Sequence, residues 1–93
     1  VDSIATVPTE NASRYLQQLC KHWSHKLEVE FDAIQGRVAF PTSAVRFDAA
    51  PHALTMTLAG PDAATLDRME PVVAEHLRRF AFREELAVDW VRG

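Results

Sequence analysis

Ala44-Val45-Arg46-Phe47, AVRF near the middle of the chain, is the stretch that decides how the rest is laid out. Val45 and Phe47 flank Arg46 as they would in a short strand with one apolar face. Read as a strand, it makes four strands between two helices, and strand parity then requires the helices to run antiparallel. Read as a loop, it flips the parity and the helices run parallel. The strand reading is adopted.

Working outward, Asp48–His52, which contains Pro51, predicts a turn. Ala53–Ala59 alternates again, with Leu54, Met56 and Leu58 facing one way and Thr55 and Thr57 the other. On the other side Pro41-Thr42-Ser43 interrupts the pattern, because proline cannot donate to a central ladder. Arg37–Phe40 precedes it as a strand with Val38 and Phe40 inward, and Ile34-Gln35-Gly36 reads as a turn. Leu27–Asp32 is the clearest strand: Leu27, Val29 and Phe31 oppose Glu28, Glu30 and Asp32, whose charged face should be wet.

Two helical patterns flank this meander. From Glu10 to about Ser24, Ala12, Leu16, Leu19, Cys20 and Trp23 gather on one face, with Thr9 placed as an N-cap behind Pro8. Gly60-Pro61-Asp62 opens the second helix, where Asp62 suits the positive end of the dipole. Its stripe is Leu66, Met69, Val73, His76, Leu77 and Phe80, and Pro71 predicts a kink or restart near Met69–Glu70. Ser3–Val7 and Leu86–Trp90 complete the chain as a first and a last strand. The order β-α-β-β-β-β-α-β predicts an α+β protein, a mainly antiparallel sheet with both helices on one face. This is a ferredoxin-like two-layer sandwich with an added strand.

The 93 residues suffice for a single domain, residues 1–93, with one modest core. A net charge of −3 argues against nucleic-acid binding, which draws its affinity from many contacts between cationic side chains and phosphates. No apolar run approaches the roughly 20 residues a membrane span needs, and Val1–Thr9 lacks the features of a signal peptide. The lone cysteine, Cys20, excludes an internal disulfide, fits the cytoplasm and falls on the apolar helix side as an inert thiol rather than a nucleophile.

Candidate chemistry concentrates in two places. His22 and His25 share one side of the first helix end, a spacing that could chelate a metal or merely complement the helix C-terminus. His76 lies at the edge of the second stripe. Its structural reading is a core histidine bonded to a backbone carbonyl, and its functional reading is a ligand contact or general base. Antiparallel helices should keep His22 and His76 apart. Arg78, Arg79 and Arg83, interleaved with Phe80 and Phe82, could hold a carboxylate or phosphate by forked hydrogen bonds. Glu84 and Glu85 could instead neutralise them in a salt-bridge knot. Trp23 reads as core and Trp90 as core or an interface anchor. There is no HExxH, CxxC, Ser–His–Asp arrangement or phosphate-cradling glycine loop.

Lys21, His22, His25 and Lys26 fit a helix-end KHxxHK run, and His76, Leu77, Arg79, Phe80, Arg83, Glu84, Leu86 and Trp90 fit HLxRFxxRExLxxxW. With ATVPTENASRYLQQLCKHWSHK, Gly36–Phe40 and LTMTLAG, these runs resemble the bacterial domain of unknown function 2218 over nearly the whole chain. That family has no assigned activity. Its members stand alongside or fused to siderophore-interacting flavin reductases, so the resemblance implies an accessory role in iron uptake with such a reductase as partner.

The leading expectation is a non-enzymatic cytoplasmic binding domain for iron or siderophore handling. Its ligand residues would be His76, Arg79, Arg83 and Glu84, its metal candidates His22 and His25, and no cofactor is required. The alternatives are a structural homodimer using a sheet edge or Trp90, and a small enzyme with His76 as general base near Arg79 and Glu84.

Overall fold

The computed structural model describes all 93 residues, Val1–Gly93. AVRF is strand, and it belongs to a longer one than its own four residues suggest. The elements are β1 (Asp2–Pro8), α1 (Ala12–Trp23), β2 (Glu28–Phe31), β3 (Gln35–Ala39), β4 (Ala44–Ala50), β5 (Ala53–Ala59), α2 (Ala63–Phe80) and β6 (Val91–Arg92). They form one six-stranded sheet of order β2-β3-β4-β5-β1-β6 with every neighbour antiparallel. The plan is α+β and ferredoxin-like in its split units. The element order is the one expected, and its six strands are two, not one, more than the four of a βαββαβ order.

Register explains why one face is buried. Phe47 lies between Gly36 and Met56, Met56 opposite Ala5, and Val45 between Val38 and Leu58, so these side chains project to one side. Phe47, Val45, Val38, Met56, Leu58, Leu54, Ala5 and Val7 are fully buried there. Leu16, Leu19, Cys20 and Trp23 of α1 and Leu66, Val73 and Leu77 of α2 close the same core. α1 lies over β2, β3, β4 and β5, and α2 over β5 and β1, so the two helices share the sheet face side by side. Arg46, Arg37, Glu28 and Glu30 on the opposite face are exposed.

Gly36 is inside β3, not in a turn. A Cβ there would lie 2.6 Å from Cys20 Sγ, 3.2 Å from Phe31 Cβ and 3.3 Å from Leu16 Cδ2, so glycine lets α1 settle on the sheet. The turn falls just before it, where Asp32 Oδ1 accepts the backbone N–H groups of Ile34 and Gln35, each at 2.8 Å. Asp48–Ala50 likewise continue β4, and the hairpin turn narrows to Pro51-His52, since Ala50 pairs directly with Ala53.

The helix starts follow capping chemistry only in part. Asp62 caps α2, accepting the Thr65 N–H at 2.8 Å. α1 begins two residues later than expected, with Asn11 rather than Thr9 at its N-cap position, and its first turn carries no acidic side chain. Thr9 Oγ1 accepts the Asn11 N–H at 3.1 Å and turns its own proton outward. Pro71 does not restart α2, which runs unbroken from Ala63 to Phe80. Proline removes one i→i−4 bond, to the Asp67 carbonyl, but Pro71 is exposed and the freed carbonyl can turn to water. Val73 and Leu77 meanwhile stay buried and hold the helix down.

Leu86–Trp90 was expected as the last strand, yet only Val91–Arg92 pair with β1, opposite Ile4 and Ser3. The alternation is real: Leu86, Val88 and Trp90 are half-buried against the core while Ala87 and Asp89 are exposed. A strip can thus bury every second side chain without entering the ladder. Its far end is tied down by Arg92, which reaches Asp67 at 2.5 Å and Glu70 at 3.1 Å, while Ser3 Oγ donates to Glu70 at 2.6 Å.

Candidate functional site

α1 and α2 are antiparallel, as four intervening strands require. They are also offset. α1 begins beside Glu84, beyond the end of α2, and ends beside His76 and Phe80 on its last turns. The groove between them therefore has two chemically distinct ends.

At one end the imidazoles of His22 and His76 lie 5.4 Å apart, centroid to centroid. Opposite helix direction does not separate them, because α1 is the shorter helix and runs beside only the C-terminal part of α2. Trp23 stands 5.0 Å from His76 and Phe80 5.8 Å from His22, so four rings share one cluster. His76 Nδ1 is 2.7 Å from the Val72 carbonyl oxygen, which can only accept. Nδ1 must therefore carry the proton, and in the neutral ring Nε2 keeps a free lone pair. This is the carbonyl-bonded histidine anticipated above, half-buried rather than fully enclosed. His22 is exposed. His25, in the turn after α1, is exposed and makes no ring contact with His22. Nowhere do three or more His, Cys, Asp or Glu side chains converge as a metal site would need.

At the other end Glu84 accepts from Tyr15 OH, from Asn11 Nδ2 at 3.0 Å and from Thr9 Oγ1 at 3.0 Å. The bond from Tyr15, with those from Asn11 and Thr9, holds the Glu84 carboxyl below the usual carboxylate range. Burial, reinforced by the Glu84 charge, pushes the Tyr15 phenol up. Glu84 thereby supplies the anion that the first turn of α1 lacks.

The arginines behave differently from the expected salt-bridge knot. The ion pairs of the molecule are Arg46–Asp48, His52–Glu10, Arg92–Asp67 and Arg92–Glu70. Arg78, Arg79 and Arg83 therefore have no ionic partner, because Glu84 is engaged by neutral donors. Arg83 instead places its guanidinium over the Phe82 ring, 5.4 Å from the ring centre. A cleft of about 250 Å³ opens here, bordered by Arg14, Gln18, Phe80, Phe82, Arg83 and Glu84.

Of the anticipated residues, His76 joins His22, and Arg83 joins Glu84. The two pairs occupy opposite ends of one groove, and His76 does not meet Glu84 as an acid–base partner. Thr9 was expected only as an N-cap, and nothing in the sequence singled out Asn11, Tyr15 or Arg14 as site residues. No local signal marked them, because Glu10 at the expected helix start already supplied an acid there.

Cys20 is fully buried, and burial pushes its thiol up to about 11, which leaves it protonated and inert. Trp90 is half-buried against the core. No helix is long and apolar enough to cross a membrane.

Comparison with known proteins agrees with this architecture. The NMR structure of PA4090 from Pseudomonas aeruginosa is 42% identical, is matched over 97% of this chain and 94% of that one, and gives a TM-score of 0.81. No curated protein matches the chain. The family model for an uncharacterized protein conserved in bacteria matches residues 4–91. From Ile4 to Val91, then, the chain belongs to the DUF2218 family.

Proposed function

We propose that this is a non-enzymatic accessory domain of the bacterial cytoplasm that binds an anionic ferric chelate, of the siderophore class, at the His22–His76 end of the interhelical groove. The observation that carries the reading is the pairing of the two imidazoles at 5.4 Å, with the His76 Nε2 left free by the bond from Nδ1 to Val72. Two imidazoles are too few to hold a resident metal. They suit an iron already enclosed by its chelator, whose outward amide N–H groups can donate to the free His76 Nε2 and whose flat ligand arms can lie against the Trp23–His22–His76–Phe80 cluster. Arg79, one turn beyond His76 and without an ionic partner, supplies positive charge for an anionic complex. A siderophore-interacting reductase is the partner this role calls for.

Isothermal titration against ferric catecholate and hydroxamate siderophores, haem, Fe²⁺ and Zn²⁺ tests the proposal. Heat from a ferric chelate that disappears in His22→Ala and His76→Ala supports it. Silence across the panel, or binding indifferent to both substitutions, overturns it.

A homodimer is the second reading, favoured by one observation. Ile4 and Val91 are cross-strand neighbours at the β1–β6 edge and are 44% and 68% exposed. Sedimentation that gives a monomer at every concentration removes it.

A further inference from the structure

We infer that the cleft at the Glu84 end of the groove is a recognition site for a small aromatic monocarboxylate, a benzoate-like acid, gripped by Arg14 and Arg83 and covering Phe82. The inference needs no iron and does not involve the imidazole pair.

The cleft holds unused binding capacity of two kinds. Arg14 and Arg83 border it, and neither has an acidic partner. The Arg83 guanidinium lies over the Phe82 ring, 5.4 Å from its centre, a contact that spends none of its N–H groups on an acceptor and leaves the fork for a carboxylate. The other unused group is Phe82 itself, 75% exposed at the corner where α2 ends. A ligand ring laid on it removes apolar surface from water and gains an aromatic contact, with half-buried Phe80 alongside.

Charge sets the valence of the ligand. Two guanidiniums face one carboxylate, Glu84, so a single positive charge is uncompensated. Glu84 does not compete for the arginines, because its oxygens are taken by Tyr15, Asn11 and Thr9. A monoanion restores neutrality, whereas a dianion such as phosphate overshoots it. Size sets the rest: about 250 Å³ lies below the roughly 300–1,000 Å³ of pockets for drug-sized ligands and limits the occupant to one ring. The Gln18 amide at the rim can bond a ring hydroxyl. A larger recess on the open sheet face, about 480 Å³, sets Glu28 and Glu30 against Arg37 alone and has the wrong sign for an anion.

The test is titration of the whole chain, free of added metal, with sodium benzoate, followed by amide NMR and calorimetry. Acetate serves as charge without ring, benzyl alcohol as ring without charge, and inorganic phosphate as dianion. Saturable shifts with benzoate that centre on Arg14, Gln18, Phe82 and Arg83, and stay weak with the other three, are expected.

Arg14→Gln and Arg83→Gln should each weaken benzoate about tenfold or more. Arg14→Lys and Arg83→Lys keep the charge but lose the fork, and should fall between. These side chains lie on the surface, so each variant should melt as the parent does; for one that does not, the lysine substitution carries the comparison. His22→Ala and His76→Ala should bind benzoate unchanged, which separates this site from the chelate reading. Equal affinity for acetate and benzoate, shifts that map elsewhere, or Kd values untouched by both glutamine substitutions would overturn the inference.

Discussion

The His22 and His76 rings lie 5.4 Å apart although the helices that carry them run in opposite directions. At 1.5 Å per residue, α1 with 12 residues is about 18 Å long and α2 with 18 about 27 Å. Glu84, three residues past the last carbonyl-capped position of α2, is level with the start of α1. Moving along α1 therefore means moving back along α2, and His22 arrives opposite His76 and Phe80. The offset builds the groove.

The bond from His76 Nδ1 to Val72 fixes a tautomer. Long-range ¹H–¹⁵N NMR at neutral pH should show His76 as the Nδ1–H form. An Nε2–H signature would remove the free lone pair on which the chelate reading depends.

The Tyr15–Glu84 bond should make part of the stability pH-dependent. The folded Glu84 pKa lies below its unfolded value of about 4.3, so its contribution is complete above that pH and is lost as pH falls through the folded pKa. Tyr15→Phe deletes a bond to a charged acceptor and should cost about 2 kcal/mol at neutral pH. The gap between parent and variant should narrow below about pH 4, read by urea unfolding across the acid range. At the alkaline end the sign reverses: the raised Tyr15 pKa predicts stability lost as pH climbs above about 10.

Gly36→Ala should destabilise the fold by about 1–3 kcal/mol, because its Cβ would stand 2.6 Å from Cys20 Sγ in a filled core. Cys20→Ala removes that sulfur. The double substitution should recover part of the loss, and a double-mutant cycle by chemical denaturation measures how much. Additive costs would show that Leu16 and Phe31 set the limit instead.

Pro71 interrupts the bonding of an otherwise continuous α2 from an exposed position. Pro71→Ala should raise stability by about 1–3 kcal/mol by restoring the bond to Asp67 and the helical propensity. A lower melting temperature would mean that the proline sets a bend on which the packing of Val73 and Leu77 depends.

The sequence by itself determined the element order, the buried stripe and the apolar setting of Cys20, and it tied the helix directions to whether AVRF is strand. Each follows from information a few residues wide: alternation in AVRF and LTMTLA, the 3.6-residue period of Leu16–Leu19–Trp23, and the parity of four strands. Local pattern failed where two devices share one signature. Leu86–Trp90 alternates as a strand would but lies beside the ladder, and Gly36 marks close packing where a turn was read. The tertiary structure alone decided the lengthwise offset of α1 on α2. It thereby decided that His22 meets His76 and that Glu84 takes Tyr15, Asn11 and Thr9 instead of an arginine. Those partners are 54 to 75 residues apart along the chain, and packing of both helices on one sheet face, not any local rule, brings them together.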